Sequence, residues 1–142
     1  PVALRRTSDA CDTWRMSDAA RTPDEVVSEW QRRAWGDCDL SVVDELIAEP
    51  FIRHGIAGTA KRTRAELKSD LHRYRQALGK PVIEVRDRVV DGNKVWSRTT
   101  MRGANLETGE THTLDWLQIH RVEGGRIVEV WTLHATDVSW ED

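Results

Sequence analysis

Between Thr113 and Ala135 the chain reads TLDWLQIHRVEGGRIVEVWTLHA, and this stretch limits the fold more than any other. Leu117 and Ile119 alternate with Gln118 and His120; beyond the glycines, Val128, Val130, Thr132 and His134 alternate with Ile127, Glu129, Trp131 and Leu133. Such period-2 alternation marks strands, whose successive side chains point to opposite faces. Glu123-Gly124-Gly125 supplies positive-φ positions, so an antiparallel hairpin is expected, closed by a type I turn with a glycine bulge. That register sets Gln118 near Val130 and Trp116 near Thr132.

The length of 142 residues suits a single domain with one core. Residues 1–21 are polar and patternless and read as an N-terminal arm; the domain is expected over 22–142. A net charge of -3 with no basic run argues against nucleic-acid binding. Cys11 and Cys38 have neither CxxC spacing nor histidine neighbours, so free thiols are expected and no metal site. There is no apolar run of membrane-spanning length and no signal-peptide pattern near the N-terminus, which points to a cytoplasmic protein that does not engage the membrane. Seven tryptophans against one tyrosine and one phenylalanine imply indoles lining a core or a pocket.

Thr22-Pro23-Asp24-Glu25 is a helix start, and Val26, Val27, Trp30 and Ala34 form one apolar face of a helix reaching about Trp35. A second, short helix is expected over Leu40 to Ala48 and ended by Pro50. Phe51-Ile52-Arg53-His54-Gly55 reads as a short strand entering a loop, Gly55 to Gly58. Thr63, with Glu66 in the capping-box position, starts a third helix ending near Leu78 and Gly79. Val82 to Val90 and Lys94 to Gly103 form a hairpin around Asp91-Gly92-Asn93, ahead of the closing pair. The pattern is α+β, a mostly antiparallel sheet whose one face is covered by helices.

Phe51-Ile52-Arg53-His54, Val90-Asp91-Gly92-Asn93-Lys94-Val95 and the run Ile119 to Trp131 resemble the NTF2-like cone fold, and within it the SnoaL-like polyketide cyclases with their ketosteroid isomerase and limonene epoxide hydrolase relatives. The resemblance spans roughly residues 23 to 135. It implies an α+β barrel, a cone-shaped curved sheet wrapped by the N-terminal helices around a pocket. It further implies a cofactor-independent enzyme of secondary metabolism that cyclises, isomerises or dehydrates a hydrophobic, oxygenated small molecule of polyketide or terpenoid type. The chain departs from its relatives in one respect. Thr132 stands where cyclases and epoxide hydrolases commonly carry aspartate, Thr100 stands two residues after Arg98 where a second is expected, and His54 lies near an isomerase's aspartate position.

Candidate catalytic groups are therefore His54 at the pocket mouth, His134 on the face of Thr132, and Gln118 opposite them, which can donate and accept. Thr132, Trp116, Trp30, Trp14 and Arg98 are candidate substrate contacts, Arg98 only if its face is concave, since otherwise it is a surface charge. Backbone bonding for His54, a frayed strand end for His134 and plain core packing for the tryptophans are the structural alternatives. The opposite face, bearing Leu117, Ile119, Trp131 and Leu133, is too apolar for water and is expected to form a homodimer, with Asp115 and Glu129 paired to arginines at its rim. Two alternatives to a cyclase or isomerase remain, a small-molecule binding module that has lost its carboxylates and an epoxide hydrolase-like enzyme. The latter needs a carboxylate delivered from a helix.

Overall fold

The computed structural model describes residues 20–138 and 140. Helix α1 (Pro23–Trp30) opens with a full capping box, in which Thr22 Oγ1 accepts from the Glu25 amide at 3.3 Å and Glu25 Oε2 accepts from the Thr22 amide at 2.7 Å. The expected helix to Trp35 continues from Gln31 as a π-helical segment, Gln31–Gly36, instead of α-helix. Helix α2 spans Ser41–Leu46, and β1 (Ile47–Gly55) begins before Pro50. Pro50 falls in the stretch where pairing with the neighbouring strand is interrupted between Ile47 and Ile52, so its missing N–H costs no ladder bond. Between the expected loop and the helix start at Thr63, where no element was expected, the chain forms β2 (Gly58–Arg62), antiparallel to β1. Helix α3 (Arg64–Leu78) carries its own capping box between Thr63 and Glu66.

Strands β3 (Val82–Asp91), β4 (Lys94–Ala104), β5 (Thr111–Glu123) and β6 (Arg126–Thr136) complete a six-stranded sheet of order β2-β1-β6-β5-β4-β3. β1 runs parallel to β6, and the other neighbours are antiparallel. The sheet stays open, with β2 and β3 as edges, so the α+β architecture holds without closure into a barrel. Among the described residues no helix is long and apolar enough to cross a membrane.

The closing hairpin differs from expectation in two compensating ways. Glu123 pairs with Arg126, leaving a two-residue turn in which Gly124 and Gly125 both have positive φ, the type I′ geometry that matches strand twist. A bulge at Val128 then shifts the pairing between Val122↔Ile127 and Arg121↔Glu129. Turn and bulge each move the register by one residue, so Gln118 pairs with Thr132 and Trp116 with His134. A slip of two preserves the faces. Only Ile127, on the turn side of the bulge, changes sides: it joins Val122 in the core instead of lying with Glu129 and Trp131.

The helices cover one face of the sheet. Val26, Val27, Trp30 and Ala34 meet Val42, Val43, Leu46, Val95, Val122, Ile127 and Val130 in the main core. A smaller cluster, Leu78, Met101, Leu114 and Trp116, lies under the end of α3. Between α1 and β4 the contact is polar: Gln31 Nε2 donates to Ser97 Oγ at 3.2 Å and Thr99 Oγ1 at 3.4 Å, while Arg88 donates to Gln31 Oε1 and Ser28 Oγ. Every buried side chain of that patch thereby finds a partner.

The end of α3 meets β4 backbone to backbone. A Cβ placed on Gly103 would lie 1.9 Å from the Leu78 carbonyl oxygen. Gly103→Ala is expected to lower unfolding stability by about 1–3 kcal/mol in urea titration, because the helix end must be pushed off the sheet.

Candidate active site

Strands β5 and β6 place Trp116, Gln118, His120, Val130, Thr132 and His134 on the helix-covered face, and these residues line one cavity of about 60 Å³. Trp30 and Trp35 close it from the N-terminal helical segments, Leu67, Asp70 and Tyr74 from α3, and Phe51 and Arg53 from β1. Room of that size holds a few waters. A larger ligand must displace part of the aromatic wall, which is built edge to face: Trp35 lies 4.5 Å from Trp116 and 5.4 Å from Tyr74 between ring centroids.

The polar lining has distinct environments. Gln118 Nε2 donates to Thr132 Oγ1 at 3.4 Å across the paired strands, leaving the amide oxygen as an acceptor. His134 is half-buried beside Trp116 in the ladder. His120 is 2% exposed, and burial, reinforced by the positive charge of Arg88, pushes its imidazole down to about 4, so the ring is neutral at physiological pH. Asp70 is buried too, its carboxylate accepting from Arg62 at 2.6 Å and from Arg73, with Arg53 at 4.0 Å.

Of the residues expected from sequence, Gln118, His134, Thr132, Trp116 and Trp30 come together at this cavity. His54 and Arg98 do not. In the parallel register of β1 with β6, Arg53 pairs with Val130 and His54 with Trp131, so His54 turns to the outer face. There its ring stacks on Trp131 at 4.8 Å, Nε2 lies 2.7 Å from Glu129 Oε1, and Nδ1 lies 2.8 Å from Thr59 Oγ1. Arg98 is on the outer face, away from the helices, bonded to Asp87 at 2.6 Å. Within the chain Glu129 is bonded by His54 and, as expected of it, by an arginine, Arg121, while Asp115 accepts from Thr100 Oγ1 at 2.5 Å. The bonds from His54, then from Arg121, hold the Glu129 carboxyl below its usual range. Trp14 lies outside the described residues.

Among the lining residues not singled out from the sequence are His120, Arg53, Trp35 and Asp70. His120 was legible, since it follows Gln118 by two on the same strand. Arg53 follows from the same parity once β1 is registered. Trp35 depends on the π-helical turn, which no spacing announces, and Asp70 sits on a helix whose outward charges hide one inward carboxylate.

The chain belongs to the SnoaL-like family: the SnoaL-like domain model matches residues 27–130. IdmH of Streptomyces antibioticus, a protein with an ascribed polyketide cyclase role, superposes with a TM-score of 0.69 at 26% identity, over 80% of this chain and 92% of that one. A protein of Acidithiobacillus ferrooxidans with the same ascribed role gives 0.72 at 17% identity, over 84% and 90%. A limonene-epoxide-hydrolase-like epoxide hydrolase of M. tuberculosis gives 0.65 at 14%, over 80% and 82%. No curated protein matches the sequence.

Because the folded His120 binds its proton more weakly than an unfolded one, the unfolded state takes up protons first as pH falls. Its neutral burial is tolerated without penalty above about pH 6.5 and costs up to about 3 kcal/mol as the pH falls to about 4. Urea unfolding followed over this window is expected to show stability falling with acidification, and His120→Gln to flatten that slope.

Proposed function

We propose that the protein is a cofactor-independent SnoaL-like enzyme that moves a proton on a small, hydrophobic, oxygenated molecule, in a cyclisation, isomerisation or dehydration. The observation that carries this reading is the convergence of Gln118, His120, Thr132 and His134 on one indole-walled cavity. His134 is the acid/base group: it is half-buried, borders the cavity and occupies the sheet face where a carboxylate mechanism would place its own base. Gln118, oriented by Thr132, positions the substrate oxygen, and neutral His120 adds a polar group that brings no charge into the cavity. Trp30 and Trp116 supply apolar walls.

A second reading, water attack on an epoxide, is favoured by Asp70, a helix-borne carboxylate that reaches the cavity beside Arg53. Its ion pairs with Arg62 and Arg73 compete with such a role, which ranks it second. A non-catalytic binding module would use the same walls with an idle His134.

Acetophenone in D2O separates these readings. The enzyme should speed deuterium exchange into the ketone's methyl group, and His134→Ala should reduce that rate at least about 10²-fold. Exchange no faster than in buffer despite binding favours the binding module. Turnover of styrene oxide abolished by Asp70→Asn favours the epoxide reading.

We further propose that the enzyme works in the cytoplasm as a homodimer through the convex sheet face. Val89, Trp96, Leu117 and Leu133 are 62%, 47%, 48% and 56% exposed on adjoining strands, around a groove of about 410 Å³. Leu133→Lys is expected to halve the mass measured by light scattering; a wild-type monomer at micromolar concentration overturns the dimer.

A further inference from the structure

Three ring nitrogens in the cavity wall are buried with no protein partner: Nε1 of Trp35, Nε1 of Trp116 and Nδ1 of His120. The other unpartnered buried side-chain atoms, Asp24 Oδ1, Arg62 Nε and Arg88 Nε, belong to charged groups held in ion pairs or through their remaining atoms. The indoles differ. Each has a single polar atom, which can only donate, so its whole hydrogen-bonding capacity is unmet. A phenylalanine would fill the same space without stranding a donor in a desolvated wall. Two such indoles stand in edge contact on one cavity, each with a donor that no group of the chain satisfies.

We infer that Trp35 and Trp116 form a paired donor site for one oxygen of the ligand, a ketone carbonyl that becomes enolate-like as the α-proton leaves. The inference rests on the reading of this cavity as the ligand site and adds the chemistry of the group it selects. Two N–H donors favour an acceptor oxygen over an ammonium or a donor hydroxyl. Donors fixed by packing where negative charge develops stabilise that charge more than water does, because they need no reorganisation. Trp116 is fixed by the sheet, being 4% exposed on β5. Trp35 comes from the π-helical segment and is held edge to face against Trp116 and Tyr74.

The test uses the 15N-labelled full chain with acetophenone and with ethylbenzene, which has nearly the same shape but no acceptor. The indole N–H signals of Trp35 and Trp116, identified by their loss in Trp35→Phe and Trp116→Phe or by through-bond assignment in the wild type, are expected to move downfield with acetophenone and not with ethylbenzene. Each Phe variant should weaken acetophenone binding about 3- to 10-fold and leave ethylbenzene affinity within about twofold. Acetophenone binding that shifts Gln118 and Thr132 but neither indole signal overturns the donor pair and leaves the proposed function standing. An equal loss of affinity for both compounds also overturns it, since only packing was removed. Binding with shifted indoles but no deuterium exchange supports the donor pair and sinks the catalytic reading. Failure of the wild type to bind either compound overturns both.

Discussion

The pairing of β5 with β6 is the constraint on which the site depends. A strand has two faces, and a slip of one residue exchanges them for every side chain at once. Here a two-residue turn and a bulge at Val128 together move the register by two, which keeps Gln118, His120, Thr132 and His134 under the helices and Leu117, Trp131 and Leu133 outside. Had the turn closed on two residues without the bulge, the pairing could not have served both faces. The bulge also lets Ile127 enter the core beside Val122, so the first turn of the hairpin is anchored before the polar positions begin.

The helices convert that face into a cavity because their contact with the sheet is uneven. Toward β3 and β4, Arg88, Gln31, Ser97 and Thr99 form a bonded polar patch that holds α1 in place. Toward β1 and β6 the wall is apolar and aromatic, and the π-helical segment after Trp30 aims Trp35 across Trp116 and Tyr74. The charge of Arg88 reaches from the first region into the second, where it assists burial in keeping His120 neutral.

Charge is distributed between the sheet faces in a way that bears on function. The outer face holds opposite charges close to one another, as in Glu129 with Arg121, and Arg98 with Asp87. The inner face receives its carboxylate from α3 instead of from β6, and Asp70 arrives already paired with arginines. With the strand positions given to threonine, the titratable groups that β5 and β6 bring to the cavity are imidazoles, beside the amide of Gln118.

Much of this was legible in the sequence. Alternation along β3 to β6, capping boxes at Thr22 and Thr63, and the glycine turns define elements through local rules of short range; parity set Trp116, Gln118, Thr132 and His134 on the cavity face, and the apolar face of α1 set Trp30 there. His54 went astray because its face depends on pairing with a strand distant in sequence: β1 joins β6 across roughly eighty residues, and no local pattern states whether Arg53 or His54 turns inward. The same holds for Trp35, whose aim is set by a π-helical turn packed on the sheet, and for Asp70, one acid among many on an amphipathic helix. The sequence by itself determined the three α-helices, the long strands and the alternation within each strand, since those follow from local backbone geometry. Only the tertiary structure decided which alternate faces meet, because register between distant strands and the seat of helices on a sheet are settled by packing, which no single segment encodes.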